Sequence, residues 1–379
     1  MHYSETLNAI LDAYEAWWTD TNSEPVVYYQ YPVKTLDRDA LPVQWMRECR
    51  EPSWAGAPMI FDRVLRTGDY SYLDELLDFL EIFTEHLGFL GQGFPRFYPN
   101  LGPGIIAALI SGKSQYQDGT VWFDLEELGD PMSLESLQGP DDFAGKEYRE
   151  VVEEFLRRST ERLAGQIPIS MTDLGGNLDL LAPLRGSSNC LMDLSMDPEG
   201  VLAALEALDA YWLKIYEAFD GIIAPARGEL YGAWMQIASR KPWYPLQCDM
   251  AAMISPGMFR DFIQPSLQRL ARGLGRAVFH LDGPNMIHHL EHVCAVDEIR
   301  AIQWTPGAGN PDVQDPAWFD LYSKIIDRGK KVVLLGFPAD VDSVRTLFKV
   351  LPAREFLLHI EGPDAQRGQE IISIGNEKS

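Results

Sequence analysis

Three short apolar runs in the second half of the chain decide the fold: AVFHLD (277–282), IRAIQW (299–304) and KVVLLG (331–336). They are separated by segments at 285–294 and 316–328, whose apolar residues recur with the spacing of an amphipathic helix. A β-rich run, a helix and a second β-rich run in succession predict parallel strands joined by helical crossovers. The sequence therefore predicts an α/β fold.

The same alternation continues outward from these runs. Further strands are predicted at 94–99, 166–171, 220–224, 245–250 and 355–360, and further helices at 146–163, 198–218, 256–274 and 340–350. About eight such repeats are typical of a (β/α)8 TIM barrel or of a doubly wound sheet. We expect the barrel, because LGPGII (101–106) lacks the third glycine of a dinucleotide fingerprint and no phosphate-loop motif is present.

An N-terminal extension is expected to precede the barrel. Residues 4–18 and 70–89 have helical periodicity, and the run VVYYQYPV (26–33) is β-rich. We therefore expect a helical extension over residues 1–92, packed on a barrel formed by residues 93–379. A cover over one end of the barrel is a reasonable role for it.

The composition indicates a globular protein with a strongly acidic surface. The 379 residues are 46% hydrophobic and 23% charged, with a formal net charge of −24 at pH 7. Such a surface repels phosphate backbones and anionic lipids, so neither nucleic-acid binding nor a peripheral membrane role is expected. No apolar run approaches the roughly 20 residues of a membrane helix, and no secretory signal is recognisable. We expect a cytoplasmic protein.

Histidine and aspartate meet at the end of one predicted strand. His280 and Asp282 are two residues apart in AVFHLDGP, so their side chains point to the same face of a strand. The carboxyl ends of barrel strands are where such enzymes place their chemistry. The pair is therefore a candidate for two metal ligands or an acid–base couple, with a hydrogen-bonded pair that only caps the following loop as the alternative.

The last predicted strand repeats this arrangement. FLLHIEGPD places His359 and Glu361 two residues apart, again before Gly-Pro. In a closed barrel, the loops after the fifth and eighth strands can meet above the centre. We therefore expect His280 and Asp282 to be joined by His359 or Glu361, which gives the three N/O ligands and open position of a catalytic zinc site.

Other predicted strand ends also carry polar or aromatic side chains. Asp249 and Glu229 are candidate catalytic carboxylates, and Asp173 and Gln303 are candidate substrate-binding residues. Aromatic residues that could line a pocket for a flat or methylated ligand, or could simply belong to the core, are Trp122, Tyr231, Trp234 and Trp304.

Two phrases resemble the uroporphyrinogen decarboxylase superfamily. One is SPxxFxxFxxP, which begins at Ser255 and ends at Pro265, and the other is the strand-end HxDG at 280–283. The resemblance covers roughly residues 93–365. It implies a (β/α)8 barrel with one of two chemistries: decarboxylation of a porphyrinogen without a cofactor, or zinc-dependent methyl transfer involving a corrinoid on a partner protein.

The methyltransferase branch is the closer match. The decarboxylases carry an Arg-rich RxAGR stretch near the N-terminus that is absent here, and their polyanionic substrate would meet a chain of charge −24. The methyltransferases hold zinc with an HxC pair and a Cys after the last strand. The matching positions here are His280, Asp282 and the region of His359 and Glu361, so both cysteines are replaced. Such harder ligands favour polarisation of an ether or hydroxyl oxygen over activation of a thiol.

These features together predict a methyltransferase. The resemblance implies that zinc assists methyl transfer from a small O- or N-methylated substrate to a corrinoid protein. A homodimer is possible. The alternatives are a metal-free lyase that resembles uroporphyrinogen decarboxylase, and a barrel that binds a small molecule without catalysis.

Overall fold

A computed structural model describes residues 3–123, 131–138 and 145–376. Its strands are β1 Val26–Pro32, β2 Leu87–Gly91, β3 Gln115–Gln117, β4 Thr120–Trp122, β5 Tyr244–Leu246, β6 Ala277–Asp282, β7 Ile299–Thr305, β8 Lys331–Phe337 and β9 Phe356–Glu361. Its helices are α1 Tyr3–Trp18, α2 Gln44–Glu48, α3 Ala57–Thr67, α4 Ser71–Glu85, α5 Ile106–Ser111, α6 Lys146–Leu163, α7 Asn177–Arg185, α8 Ser187–Met196, α9 Pro198–Arg227, α10 Pro256–Met258, α11 Gln264–Leu274, α12 Leu290–Cys294, α13 Phe319–Asp327, α14 Val341–Val350 and α15 Ala365–Asn376.

A seven-stranded, mostly parallel sheet forms the centre of the molecule, in the order β2-β1-β9-β8-β7-β6-β5. Only β2 runs antiparallel to its neighbour. The parallel strands therefore all end on one side of the sheet, which we call the carboxyl edge, and begin on the other, the amino edge. The α/β class predicted from the sequence is confirmed.

The strands that the sequence marks most clearly lie where they are expected. β6 matches the predicted run 277–282 at both ends, and β7 and β8 extend one residue beyond theirs. These strands are buried almost throughout, which explains their continuous apolar runs.

The strand predicted at 220–224 is wrong, because those residues continue α9. The helix begins at an N-cap in which the Asp197 carboxylate accepts a hydrogen bond from the Gly200 amide at 3.0 Å. Its buried residues keep helical spacing through Phe219 and Ile223, and the chain leaves the helix only at Gly228, where φ is +59°.

The segments 94–99 and 166–171 are extended but form only an isolated parallel bridge between Phe97 and Ile169. Backbone hydrogen bonds continue this row from Ser170 to Phe97 at 2.8 Å and from Met171 to Gly232 at 2.8 Å. The described residues do not form a closed ring of strands, so the closed eight-stranded barrel stays a prediction.

The N-terminal region contributes strands as well as helices. β1 pairs in parallel with β9, so residues before 93 belong to the same sheet as the C-terminal strands. Helix α1 lies at the amino edge, where the Trp18 indole donates to the Ala238 carbonyl at 2.9 Å. The boundary at residue 93 itself stays a prediction.

Helix length and polarity bear on membrane insertion. None of the helices in the described part of the chain combines the length and the apolar character that crossing a membrane requires.

Candidate metal centre and adjoining cavities

The structure brings together Asp249, His280 and Asp282 at the carboxyl edge. One potential ligand atom from each lies within 4.8 Å of the other two. His280 and Asp282 come from the end of β6, and Asp249 begins a 3-10 turn, Asp249–Met253, that follows β5. We call this set the Asp–His–Asp group.

Gln303 on the neighbouring strand fixes the orientation of the His280 ring. The two residues are register partners, and the Nδ1 atom of His280 lies in hydrogen-bond contact with the Gln303 Oε1 atom. The Gln303 Nε2 atom donates to the carbonyl of Trp304 at 2.8 Å, and a carbonyl can only accept. Oε1 must therefore face His280, so Nδ1 carries the proton and the Nε2 lone pair of His280 is available for a metal.

The pKa of Asp249 is affected by both other members of this group. Loss of hydration raises the pKa of Asp249, the nearby His280 imidazole acts in the opposite direction, and the charge of Asp282 raises it again. No Lys or Arg of the described residues forms an ion pair with Asp249 or Asp282. Two adjacent carboxylates beside a histidine lone pair form a donor set that suits a cation.

The carboxyl group of Asp179 supports the Asp–His–Asp group. Asp179 accepts hydrogen bonds from the backbone amides of Asp249 at 2.7 Å and Met250 at 3.0 Å, and thereby fixes the turn that carries Asp249. Burial and then the charge of Asp249 raise the pKa of Asp179 to about 7. Sequence reasoning missed Asp179.

Asp173 is also near this edge, but it is enclosed. Its Oδ1 atom accepts from the Gly175 amide at 2.8 Å and the Tyr244 hydroxyl at 3.2 Å. Burial raises the pKa of Asp173. Its visible role is to hold the loop that leads into α7, and direct substrate contact by Asp173 stays a prediction.

Of the predicted aromatic residues, Trp234 adjoins the group. Its ring meets the His280 ring edge to face, with centroids 5.2 Å apart and an interplanar angle of 87°. Trp304 lies on the opposite face of β7 from Gln303, where it is fully buried and packs against Trp318 at 4.9 Å. Trp122 is an exposed residue of β4.

Glu229 and Tyr231 lie at the amino edge, away from the Asp–His–Asp group. Glu229 pairs with Arg240, which also contacts Asp12 of α1. The Tyr231 backbone pairs with Ser239, which is hydrogen-bonded to Glu15 of α1. The cause is the wrong strand at 220–224: a residue expected after a strand instead follows a helix, and so lies at the opposite end of the sheet.

His359 and Glu361 do not join the Asp–His–Asp group. β9 is separated from β6 by both β7 and β8, and neighbouring strands are about 4.8 Å apart. Glu361 instead accepts from the Gln30 side chain at 3.1 Å. The His359 ring packs beside Tyr28, and its buried Nε2 atom has no hydrogen-bond partner among the described residues.

Two adjoining cavities open between β9 and Trp234. The outer cavity, of about 490 Å³, is lined by residues that include Trp54, Trp234, Gln236, His359 and Glu361. The inner cavity, of about 70 Å³, shares Trp54, Gln236 and Glu361 with it and reaches Arg96. Trp234 thus both lines the outer cavity and contacts His280 through its ring.

Sequence reasoning also missed Arg96 and Trp54. The signal for Arg96 was a single charge within the otherwise apolar stretch FPRFYP (94–99). Trp54 carries no comparable signal, because its position depends on how the segment after α2 folds across the carboxyl edge.

Comparison with known proteins gives the fold but no family. No family model matches the chain, and no curated protein matches it. A solved structure of a methyltransferase from Methanosarcina mazei superposes with a TM-score of 0.53 over 97% of this chain and 98% of that chain, at 13% sequence identity. At this level of identity the likeness shows a shared overall fold alone.

Proposed function

We propose that this chain is a metal-assisted methyltransferase. It transfers a methyl group from a small O- or N-methylated compound to a corrinoid carried by a partner protein. The observation that carries this proposal is the Asp–His–Asp group, whose His280 contacts a residue of the outer cavity wall, Trp234. The shared fold with a methyltransferase supports it, and we take the complete fold to be a variant of the (β/α)8 barrel.

The residues fit a zinc ion with three protein ligands. The ligands we assign are the carboxylates of Asp249 and Asp282 and the Nε2 atom of His280. This set replaces the combination with His359 or Glu361 that the sequence suggested. One imidazole and two carboxylates leave a coordination position free, as catalytic zinc sites do.

When bound, the metal supplies Lewis-acid polarisation of the heteroatom that carries the methyl group. The protein's own contribution is position and charge. Gln303 holds His280 in the tautomer that presents Nε2, and Asp179 holds the turn of Asp249. Trp234 gives the methylated end of the donor an apolar wall next to His280.

The leaving group determines the remaining requirement. As the carbon–heteroatom bond breaks, its electron pair stays on the oxygen or nitrogen, and the methyl group is taken by the acceptor. On an ether oxygen or a neutral amine nitrogen, the developing negative charge is stabilised by a nearby cation or hydrogen-bond donor. The described residues place no Lys or Arg ion-paired with the Asp–His–Asp group, which is why we assign this role to a metal.

A methyl-transfer assay tests the proposal. Zinc-loaded protein is mixed with free cob(I)alamin and a panel of methoxylated and N-methylated compounds. Methylation of the cobalamin is followed by the change in its visible absorption spectrum. We expect the wild type to turn over at least one donor. We expect His280→Ala and Asp282→Asn to lose both the bound zinc and this turnover. His288→Ala, which removes an exposed histidine from the same loop, is the matched control and is expected to retain both.

The supporting contact can be tested in the same way. Gln303→Leu removes the acceptor of the His280 Nδ1 proton, so we expect zinc affinity to fall about 10–100-fold. A wild type that binds zinc but transfers no methyl group from any donor would contradict the methyltransferase assignment. A wild type that binds no zinc would contradict the metal site and favour the metal-free lyase.

A further inference from the structure

A positive charge without a carboxylate partner lies in the inner cavity. We infer that the substrate carries a carboxylate group and that Arg96 binds it. The inference deepens the proposed function by naming the substrate class, and its identification of the ligand as a methyl donor rests on that function.

The contacts of Arg96 leave part of its hydrogen-bonding capacity unused. Nη1 donates to the Ala233 carbonyl at 2.6 Å and to the Ser170 hydroxyl at 3.3 Å, and Nη2 donates to the Trp234 carbonyl at 2.8 Å. A guanidinium has about five N–H donors, so two remain without a partner among the described residues. These neutral contacts fix the side chain but give its charge no ion-pair partner.

Other enclosed arginines in this chain have an acid partner. Arg276 pairs with Glu15 at 3.0 Å, Arg269 with Asp209 at 2.7 Å and Arg227 with Asp220 at 2.6 Å. Arg96 forms no ion pair with any described carboxylate. Burial lowers the pKa of Arg96 and outweighs the opposite effects of Tyr28 and Glu51, so the enclosed charge costs free energy that an anion in contact with it would offset.

The nearest acidic residues are already engaged elsewhere. The Glu51 carboxylate accepts from the backbone amides of Ser53 at 3.2 Å and Trp54 at 2.5 Å, where it caps a helical turn. Glu361 accepts from Gln30. Both line the inner cavity with Arg96, but neither lies within ion-pair distance of it.

The position of Arg96 suits one end of a ligand whose other end lies in the outer cavity, against Trp234. The inner cavity, about 70 Å³, has room for a carboxylate group, and it continues into the outer cavity of about 490 Å³. Trp234 connects the two ends directly: its carbonyl accepts from Arg96 and its ring contacts His280. A carboxylate on Arg96 would therefore place the rest of the substrate in the outer cavity, beside the Trp234 ring that contacts His280.

The surrounding charge makes this contact selective. A chain of net charge −24 repels anions in general, so an anionic substrate needs a specific local cation. An arginine fork binds a carboxylate through two parallel hydrogen bonds, which a hydroxyl group cannot reproduce. We therefore expect discrimination between a carboxylate and its neutral analogue.

Calorimetric titration with matched ligand pairs tests the inference. The pairs are methoxyacetate with 2-methoxyethanol, and N-methylglycine with 2-(methylamino)ethanol, so that the O-methyl and N-methyl classes are separated. Titrations use metal-free protein and the His280→Ala variant, because a carboxylate could otherwise bind directly to zinc. We expect at least one carboxylate to bind about tenfold or more tightly than its neutral partner, equally in both proteins.

Variants at Arg96 then locate the contact. Arg96→Met is expected to abolish the preference for the carboxylate, and Arg96→Lys, which keeps the charge but loses the fork, to retain part of it. Arg276→Lys, at the amino edge, is the matched control and is expected to leave the preference intact. If Arg96→Met does not fold, as judged by circular dichroism, Arg96→Lys decides alone.

The outcomes separate this inference from the proposed function. Equal binding of carboxylates and neutral analogues, or an unchanged preference in the Arg96 variants, overturns the inference. Carboxylate binding through Arg96 with no methyl transfer from any donor supports the inference and contradicts the methyltransferase. Methyl transfer that is as efficient from neutral donors as from carboxylates supports the methyltransferase and contradicts the inference about Arg96.

Discussion

The amino and carboxyl edges of the sheet differ in whether their charged side chains have ion-pair partners. At the amino edge, Arg276 and Glu15 form a two-pronged ion pair with both contacts at 3.0 Å. Lys331 is paired with Asp20 at 2.6 Å and with Glu355 at 2.9 Å. Each of these two basic groups is paired with an acidic group of the chain, so neither needs a ligand to balance its charge.

At the carboxyl edge the charges are separated by sign. Asp249, Asp282 and Asp179 have no basic ion-pair partner among the described residues, and Arg96 has no acidic one. A folded chain gains nothing from such an arrangement unless ligands complete it. The difference indicates that the amino edge serves stability and the carboxyl edge serves binding.

The largest expected effect is at the amino edge. Arg276→Met leaves the Glu15 carboxylate half-buried without its partner, which for a buried pair costs about 3 kcal/mol of unfolding free energy. Urea unfolding of metal-free protein measures this cost. Asp282→Asn, the matched change at the carboxyl edge, should cost nothing or stabilise slightly, since it removes repulsion from Asp249. An equal loss in both variants would break the comparison.

Zinc should act on the carboxyl edge alone. At a free concentration of 100 times the dissociation constant, zinc is expected to raise the unfolding free energy of the wild type by about 2.7 kcal/mol. Asp282→Asn should lose this gain, whereas Glu15→Gln, although less stable at the start, should keep it. Thermal unfolding with and without added zinc compares the three proteins. A gain that persists in Asp282→Asn would place the zinc elsewhere.

Lowering the pH should reduce the unfolding free energy through His359, the buried histidine near the carboxyl edge whose Nε2 atom has no hydrogen-bond partner among the described residues. Burial, and then the charge of Arg96, lowers the pKa of His359 to about 3, whereas an unfolded histidine titrates near 6.5. Its contribution is therefore fully present above pH 6.5 and is lost as the pH falls, by up to about 1.4 kcal/mol per pH unit. We expect His359→Leu to flatten the stability profile between pH 6.5 and 5.5.

Glu15 provides the internal comparison for that profile. Burial opposes ionisation of Glu15, but hydrogen bonds from Arg276 and the Arg240 amide outweigh it and leave the pKa of Glu15 below its usual value. Its contribution is lost only as the pH falls below about 4.5. Glu15→Gln should therefore leave the slope above pH 5.5 unchanged, and a slope unaffected by His359→Leu would contradict the assignment.

The smallest effect concerns Glu229. Its side chain is 71% exposed and pairs with Arg240 at the amino edge, so Glu229→Gln should change the unfolding free energy by less than about 1 kcal/mol. Methyl transfer and zinc binding should be unaffected, because the residue is remote from the Asp–His–Asp group. Loss of turnover in this variant would restore the catalytic role that the sequence suggested.

The sequence predicts the buried strands well and the connections between them poorly. β6, β7 and β8 have uninterrupted apolar runs bounded by turns, so their limits follow from composition alone. The end of α9 was misplaced because GIIA is apolar and fits either a buried helix face or a strand. That one error moved Glu229 and Tyr231 to the wrong edge of the sheet.

Two of the three residues of the Asp–His–Asp group were predicted as metal ligands from the sequence, and Asp249 was predicted only as a catalytic carboxylate. His280 and Asp282 share a face because strand residues two apart always do. The position of Asp249 beside His280 depends on the turn after β5 and on the hydrogen bonds of Asp179. Neither can be predicted from the spacing of residues in the sequence. The separation of His359 from His280 depends on strand order, which the spacing of residues along the chain does not determine.

Anomalous diffraction at the zinc edge, from crystals grown with zinc, tests the central claim most directly. The account predicts one strong peak bounded by Asp249, His280 and Asp282, and no peak there in crystals of Asp282→Asn. A peak elsewhere, for example beside His288 and His292, would contradict it. So would protein that binds zinc in solution but shows no peak at the carboxyl edge.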